Sequence, residues 1–281
     1  MKPNDPSRTA LMIARQRAAH QVLDHGSILH DPFAVKILLE DEQNVLQFAS
    51  AHPAASIGRL FTTARSRIAE DFLSIAVAKG VRQIVILGAG LDTFALRNPY
   101  AALEMCIYEV DHPATQESKR QRMAEAQLAV PPWLIFVPVD FERDDLGEKL
   151  AAAGLQQNSP AFFTWLGVTP YLTQEAIGST LDHIASIRNS EVVFDYMEPA
   201  AGFSEELRQL EKARDEQLEK MNERSVSRFE PAGMAALLRV HGFSDFEDID
   251  FEEIRSRFGG AVQGLAPGHA GVHVVHATAP A

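Results

Sequence analysis

The sequence is poor in cysteine, in basic charge and in long apolar runs, and each shortage excludes a class of protein. Cys106 is the single cysteine among 281 residues, so no disulfide forms within one chain and a reducing cytoplasm is expected. Lys and Arg total 26 against 38 Asp and Glu, and the net charge of -12 repels nucleic acid. No apolar run reaches the roughly 18 residues of a membrane span. We therefore expect a soluble cytoplasmic protein that binds neither nucleic acid nor membrane.

Hydrophobic patterning indicates one domain over residues 1–281, with 46% hydrophobic residues to fill its core. Residues 1–80 have helical spacing, residues 81–200 alternate strands with helices, and residues 201–281 hold a charged helix and two final strands. Such alternation predicts an α/β fold with parallel strands joined by right-handed crossovers. The seven predicted strands are QIVIL, MCIYEV, LIFVPV, AFFTWLG, EVVFDYM, FSDFEDI and GVHVVHATA.

Several helix boundaries are also predicted. Ser7 or Thr9 is expected to cap the first helix, HDPFAVKILL to turn into another, and Gly80 to end the long helix that begins near TTARSR. The charged segment 204–224 is expected to be an exposed amphipathic helix with a narrow apolar stripe. The residues of that stripe are Leu207, Leu210, Leu218 and Met221.

Two glycines follow the first predicted strand, where open α/β sheets bind ligands. Gly88 and Gly90 would let a ligand approach the backbone, although a bare G-x-G also occurs in tight turns. The next strand ends in Asp111, 21 positions after Gly90, close to the offset of about 20 at which an acid binds ribose hydroxyls. The alternative is that Asp111 caps the following helix. We predict that Asp111 binds a ribose.

Asp92 distinguishes between the two possible cofactor classes, a dinucleotide and S-adenosylmethionine. A dinucleotide site has a small residue at the third position of G-x-G-x-x-G, where this sequence has Thr93, and its pyrophosphate would be repelled by Asp92. S-adenosylmethionine has the same adenosine without phosphate and carries positive charge, so it tolerates an acid in this turn. The residues therefore favour S-adenosylmethionine over NAD(P) and, with it, a transferase over an oxidoreductase.

A third acid follows the next strand. Asp140 would accept the amino group of adenine, and Phe141 would pack on its ring, unless Asp140 only caps a helix. No His or Cys cluster has the spacing of a zinc site, and no magnesium site is evident, so no metal is expected.

These motifs together resemble the leucine carboxyl methyltransferase family and its bacterial relatives that methylate oxygen atoms of small molecules. The resemblance covers nearly the whole chain, from about Ser7 to Thr278, and includes the N-terminal DPFA. LGAGLDT followed at this distance by EVD is its most specific part. The other matching runs are TTARSRIAEDFL, PVDFERDDLGEKLAAAG, TWLGVTPYLTQEAI and EVVFDYMEP.

The resemblance implies a Rossmann-like class I methyltransferase fold: a mostly parallel sheet of seven strands with helices on both faces, an antiparallel last strand and an N-terminal helical lid. It implies that Arg65 holds the carboxylate of the methionine or of the substrate. It assigns Gly88 to the cofactor wall, Asp111 to the ribose and Asp140 with Phe141 to the adenine. One position departs from the family: many relatives have an acid after the tryptophan, where this chain has Leu166.

The expected activity is S-adenosylmethionine-dependent O-methylation of a small molecule. A carboxylate acceptor is ionised at pH 7 and needs no base, and Arg65, or Arg15 or Arg17 of the lid, could bind it. A hydroxyl acceptor would need a general base. Tyr171 is the strongest acceptor-side candidate, because it follows a strand at the active-site edge. His30, His112 and Tyr196 are also available by residue type, but neither these three nor Tyr171 is assigned a catalytic role. In the family, the insertion that contains the charged helix helps to form the substrate pocket, so Phe203, Met221 and Phe229 could face a ligand, although core packing is their expected role. The alternatives are an NAD(P)-linked oxidoreductase and a methyltransferase-like protein that binds without catalysis.

Overall fold

The computed structural model describes residues 7–51, 55–200 and 223–280, with positions 205, 208, 209, 212, 215, 216 and 219 between them. Its centre is a seven-stranded sheet in the order β3-β2-β1-β4-β5-β7-β6, in which β7 runs antiparallel to both β5 and β6 and the other neighbouring strands are parallel. The predicted α/β fold with an antiparallel last strand is confirmed. The strands are β1 Gln83–Leu87, β2 Cys106–Asp111, β3 Leu134–Pro138, β4 Ala161–Trp165, β5 Glu191–Met197, β6 Asp245–Ile249 and β7 Val272–Thr278.

Helices precede the sheet and connect its strands. The described residues among the first 80 are mainly helical, as predicted. Ser7 caps α1 by accepting the N–H of Ala10 at 3.1 Å, and Gly80, with φ of +103°, follows the long α3. The helices are α1 Arg8–Leu23, α2 Glu42–Ser50, α3 Ala55–Ala78, α4 Phe94–Arg97, α5 Pro113–Glu125, α6 Leu146–Ala152, α7 Gln174–Ser186, α8 Pro231–Val240 and α9 Phe251–Phe258.

Two helical segments differ from the sequence prediction. The run HDPFAVKILL forms a turn and a single 3-10 turn, Lys36–Leu38, because Leu39 adopts a left-handed conformation with φ of +55° that ends it. Helix α9 was not predicted. It is eight residues long, and only Phe251 and Ile254 are buried in it, which is too few for a recognisable apolar period.

The sheet separates two hydrophobic cores. Along β1, Val85 and Leu87 belong to one core while Ile84 and Ile86 belong to the other, as alternation in a strand requires. A third cluster lies between α1, α2 and the core, and it includes Leu91 of the turn after β1. The packing of α1 therefore reaches the predicted cofactor edge of the sheet.

Most of the segment predicted as an exposed charged helix lies outside the described residues. The same holds for Phe203, Leu207, Leu210, Leu218 and Met221. Phe229 is buried in the core, and its N–H donates to the carbonyl of Met197 at 2.9 Å. In the ranges described, no helix has the length and apolar character needed to cross a membrane. The same ranges hold no group of three or more His, Cys, Asp or Glu side chains placed to bind a metal.

Candidate functional site

A cavity of about 550 Å³ lies at the carboxyl ends of β1 to β4. Its wall is formed by the residues that follow these strands, by one stripe of α1, by α3 and by the segment that resumes at residue 223. On α1 the stripe consists of Thr9, Ala10, Ile13 and Arg17, whose spacings of three and four residues place them on one helix face. Helix α1 thus covers the sheet edge, in the position expected of a lid.

All residues predicted to bind the cofactor line this one cavity: Arg65, Gly88, Gly90, Asp92, Asp111, Asp140 and Phe141. Tyr171, Arg17 and His112 also line it, whereas Arg15, Tyr196 and His30 are not among its lining residues. The structure therefore brings together residues from six separate parts of the sequence.

The turn after β1, residues 88–93, is called the glycine turn below. Gly88 and Gly90 both have positive φ, +65° and +50°. A Cβ on Gly88 would lie 2.2 Å from Cγ2 of Val168, and one on Gly90 would lie 3.1 Å from Cβ of Ala10. The two glycines are required because their backbone is left-handed and because the loop after β4 and helix α1 approach them closely.

Asp111 lies directly opposite the glycine turn. Its carboxylate accepts the N–H of Gly90 at 2.5 Å and that of His112 at 2.6 Å. Burial raises the pKa of Asp111, and these two N–H donors oppose that rise by stabilising the charged form. His112, not Asp111, caps the following helix, since its Nδ1 accepts the N–H of Ala114 at 3.2 Å. The structure therefore does not support the alternative in which Asp111 caps the following helix.

A buried ion pair lies beneath these acids. Nζ of Lys119 is 2.5 Å from Oε2 of Glu109, and both side chains are almost fully buried. Burial raises the pKa of Glu109, while Lys119 acts in the opposite direction. The charge of Lys119 also favours the ionised forms of Asp92 and Asp111.

The environment of Asp92 differs from the one assumed in the sequence argument. Its Oδ1 accepts the N–H of Phe94 at 2.7 Å, and its Oδ2 lies 3.3 Å from Nη1 of Arg17. Burial alone would raise the pKa of Asp92, but the charges of Arg17, Lys119 and Arg97 lower it overall. A carboxylate paired with an arginine repels a diphosphate less than a free one does. The electrostatic argument against a dinucleotide is therefore weaker than the sequence suggested.

Arg65 reaches the cavity from α3. Its Nη1 donates to Oδ2 of Asp195 at 2.9 Å, while Oδ1 of Asp195 accepts the N–H of Gly167 at 2.5 Å. Nε of Arg65 is buried and has no hydrogen-bond partner within the described part of the chain. Arg65 is nevertheless a lining residue of the cavity, and a guanidinium at a cavity wall is suited to a ligand carboxylate. Leu166, at the position of the family acid, is half-buried and packs on the core beside α3.

Asp140 and Phe141 follow β3 on the opposite wall. Oδ1 of Asp140 accepts the N–H of Glu142 at 3.1 Å, and Oδ2 lies 3.6 Å from Nε of the exposed Arg143. The helix that follows is capped by Asp145, whose carboxylate accepts the N–H of Glu148, so Asp140 is not its N-cap. Phe141 is partly buried against the core.

Two predicted substrate residues lie elsewhere. Arg15 binds Glu40 through Nη2 at 2.7 Å, on a different face of α1 from Arg17. Tyr196 is buried in β5, where its hydroxyl donates to Asp248 at 2.7 Å and its ring stacks on His273. Neither side chain is therefore placed to contact a ligand in the cavity.

Two functional contacts were not predicted from the sequence. Oε1 of Glu223 accepts the N–H of Arg8 at 2.7 Å and of Thr9 at 3.3 Å, so a residue more than 200 positions away caps α1. Asp31, in the N-terminal DPFA motif, accepts the hydroxyl of Thr93 at 2.5 Å. The DPF and LDT motifs could have indicated the contact of Asp31 with Thr93, because each motif holds one of the two residues. No local sequence pattern indicated the contact of Glu223 with α1.

A comparison with protein families identifies the family to which the chain belongs. Residues 10–185 match the family model described as leucine carboxyl methyltransferase. The chain belongs to the leucine carboxyl methyltransferase family. The match includes most of α1, Arg65, the glycine turn, Asp111, Asp140 and the loop after β4. At the level of the family, the predicted cofactor class, S-adenosylmethionine, is confirmed.

Relatives of this family member come from bacteria. YktD of Bacillus subtilis (strain 168), provisionally named an S-adenosyl-L-methionine-dependent methyltransferase, is 34% identical over 221 residues, covering 70% of this chain and 72% of YktD. A protein of Mycobacterium avium (strain 104) with the same provisional name is 32% identical over 192 residues, covering 64% of this chain and 60% of its own length.

Solved structures with a similar fold include two methyltransferases. The magnesium protoporphyrin IX methyltransferase of Synechocystis PCC 6803 with bound SAH has a TM-score of 0.48 and 12% identity, covering 85% of this chain and 100% of that chain. Human N-acetylserotonin methyltransferase in complex with SAM has a TM-score of 0.48 and 12% identity, covering 95% of this chain and 67% of that chain.

Proposed function

We propose that the chain binds S-adenosylmethionine in the cavity at the ends of β1 to β4 and transfers its methyl group to an oxygen of a small molecule, with a carboxylate as the favoured acceptor. The observation that supports this is the convergence of Arg65, the glycine turn, Asp111 and Asp140 on one cavity beneath α1. The guanidinium of Arg65, which lines the cavity, fits the carboxylate of the methionine moiety. A carboxylate and an aromatic ring on the opposite wall fit the adenine.

Each of these residues would bind a different part of the cofactor. Asp111 would accept hydrogen bonds from the ribose hydroxyls, for which its ionised form is required. Asp140 would accept the adenine amino group, and Phe141 would pack on the ring. When bound, S-adenosylmethionine supplies a methyl group on a positively charged sulfur, which an oxygen lone pair displaces in line. The protein mainly aligns these groups and excludes water, and such positioning supplies several kcal/mol, of a possible total of about 7–11.

The histidine that lines the cavity bears on whether the methyl acceptor is a carboxylate or a hydroxyl. His112 is the histidine among the described lining residues, and its Nδ1 accepts the N–H of Ala114. A neutral imidazole that accepts through Nδ1 carries its proton on Nε2, so it cannot take a further proton without breaking the helix cap. A carboxylate acceptor requires no proton transfer, because it is already ionised at pH 7. The geometry of His112 therefore favours a carboxylate over a hydroxyl.

Cofactor binding is tested by calorimetry with S-adenosylhomocysteine and, separately, NADH. We expect S-adenosylhomocysteine to bind and NADH to give no heat, because the third position of the dinucleotide motif holds the buried Thr93 in place of a small residue, and because the turn also carries the carboxylate of Asp92. Asp111→Ala should weaken binding by at least about tenfold, since each lost charged hydrogen bond costs roughly 1.5–3 kcal/mol. Asp245→Ala, at an exposed acid of the sheet edge, is the matched control and should bind as the wild type does. Binding of NADH alone would overturn the proposal in favour of an oxidoreductase.

The nature of the acceptor is tested with a methyl-labelled donor. The protein is incubated with the donor and a bacterial small-molecule extract, and labelled products are separated by mass spectrometry. Mild alkali should release the label as methanol, because a methyl ester is hydrolysed under conditions in which a methyl ether is stable. Label that survives alkali would contradict the carboxylate assignment and indicate an ether, amine or thioether product.

A further inference from the structure

The glycine turn is held partly by the sheet and partly by its own residues. The N–H of Gly90 donates to Asp111, and the N–H of Phe94 donates to Oδ1 of Asp92 at 2.7 Å. These contacts leave the carbonyl of Leu91 and the second carboxylate oxygen of Asp92 to be bound from outside the turn. What binds these two atoms also fixes the shape of the turn.

Arg17 of α1 binds both atoms. Its Nη2 donates to the carbonyl of Leu91, and its Nη1 donates to Oδ2 of Asp92 at 3.3 Å. The side chain is buried, with Nε 3.9 Å from Oδ2 of Asp31. Two acceptors bound by two nitrogens of one guanidinium require its rigid fork, which a lysine lacks.

Helix α1 is not part of the sheet that carries the turn. It packs with α2 in a separate apolar cluster, which Leu91 joins from the turn. The shape of the glycine turn therefore depends on whether α1 is docked. By linkage, if docking of α1 favours the turn that binds a ligand, the ligand favours docking by the same factor.

A purely structural role for Arg17 is the alternative, and the chain contains a matched case. Arg59 is also buried, and it also binds one carboxylate and one backbone carbonyl, those of Asp24 and Gln263, both at 2.7 Å. Arg59 does not line the cavity. If Arg17 only joins elements together, substitutions at Arg17 and Arg59 should have the same kinds of effect.

We propose that Arg17 is a positioning residue: by binding Leu91 and Asp92 from α1 it holds the glycine turn in its cofactor-binding shape, so that docking of α1 and binding of S-adenosylmethionine stabilise each other. This inference rests on the proposed function. It gives Asp92 a different role from the one expected from sequence, because its carboxylate serves to receive α1 through Arg17.

The test compares Arg17→Met with Arg59→Met in the full chain. Both should lower the melting temperature, because each removes the contacts of a buried arginine with one carboxylate and one backbone carbonyl. Arg17→Met should raise the dissociation constant of S-adenosylhomocysteine by about 5–150-fold, the range of ordinary coupling between sites. Arg59→Met also loosens α1, because Asp24 is the C-cap of that helix, but it leaves both contacts with the glycine turn in place and should raise the dissociation constant by a clearly smaller factor. Hydrogen exchange of the ligand-free proteins should be faster at residues 88–94 in Arg17→Met alone.

Milder variants keep the inference testable if Arg17→Met does not fold. Arg17→Lys can reach one of the two acceptors and should give an intermediate dissociation constant. Combined with Asp92→Asn, it should show non-additive effects, because both substitutions break the same contact. Additive effects, or equal effects of the Arg17 and Arg59 variants on ligand affinity, would overturn the inference while leaving the proposed function intact. Failure of the wild type to bind S-adenosylhomocysteine would instead overturn the proposed function, and the coupling with it.

Discussion

At the scale of single residues, the site depends on backbone positions that no side chain can replace. Gly88 illustrates this: its φ is positive, and the space that a Cβ would need is filled by Val168. The methyl group of an alanine would have to displace β-branched Val168, whose rotamers are few. The glycine turn is therefore fixed by sterics as much as by hydrogen bonds.

Gly88→Ala should lower the free energy of unfolding by at least about 1–3 kcal/mol, the usual cost of a strained backbone conformation, and should weaken binding of S-adenosylhomocysteine. The measurements are urea unfolding and calorimetry. Gly233→Ala is the matched control, because Gly233 lies in α8 and no atom lies within 4 Å of the position that a Cβ would take there. It should be neutral or stabilising by up to about 1 kcal/mol. Equal losses in the two variants would contradict the steric argument.

The same scale limits what the sequence can predict. Gly88, Asp111 and Asp140 were found from the sequence because strand ends meet at one edge of a parallel sheet. Arg15 and Arg17 could not be distinguished, because residues two apart on a helix face different sides and the direction of the core is set by distant elements. Tyr196 likewise looked available by type, although strand alternation turns it away from the cavity.

At the scale of elements, α1 is attached to the rest of the molecule at both ends of its cavity-facing stripe. Arg17 binds the glycine turn near one end, and Glu223 accepts the N–H groups of Arg8 and Thr9 at the other. A carboxylate at a helix N-terminus satisfies free N–H groups and interacts favourably with the helix dipole. The segment after β5 thereby determines how firmly the first turn of α1 is closed.

Glu223→Ala should loosen that first turn. We expect amide exchange at residues 8–12 to become faster and the free energy of unfolding to fall by about 0.5–2 kcal/mol, as for loss of a helix cap. Glu223→Gln keeps an oxygen acceptor and should restore most of the protection, which separates hydrogen bonding from charge. Unchanged exchange in Glu223→Ala would show that Ser7 alone is sufficient to cap α1.

Elements were predicted better than the contacts between them. Periods of two and of three to four residues are local properties, so the seven strands and α1 could be found in a single sequence. The contact of Glu223 with α1 joins residues more than 200 positions apart, and no local pattern encodes it. Helix α9 was not predicted for a related reason: only two of its side chains are buried, and the core against which they pack is formed by distant parts of the chain.

At the scale of the whole molecule, the last two strands are joined to the others by a charged cluster at β5 and β7. Both ring nitrogens of His273 lie 2.9 Å from carboxylates, those of Asp248 and Glu198, and its ring stacks on Tyr196. Burial would lower the pKa of His273, but the two carboxylates outweigh it and raise the pKa. A histidine that donates to two carboxylates is positively charged.

The raised pKa of His273 makes the stability of the fold depend on pH. Its contribution is complete below pH 6.5, the ordinary value, and is lost as the pH rises through the raised pKa of the folded state. The difference in unfolding free energy between the wild type and His273→Gln should therefore be larger at about pH 5.5 than at about pH 9, measured by urea unfolding. A constant difference would show that the ring contributes by packing on Tyr196 and not by its charge.

The order of the strands has a further consequence for how the chain folds. β6 is made before β7, yet its pairing in the sheet is with β7, which in turn lies against β5. During synthesis β6 therefore stays unpaired until β7, which lies between β5 and β6 in the sheet, has been made. A chain stalled between residues 249 and 272 would expose two open sheet edges at once, and such edges favour aggregation. The cell's protection of the nascent chain is thus needed most over those last few dozen residues.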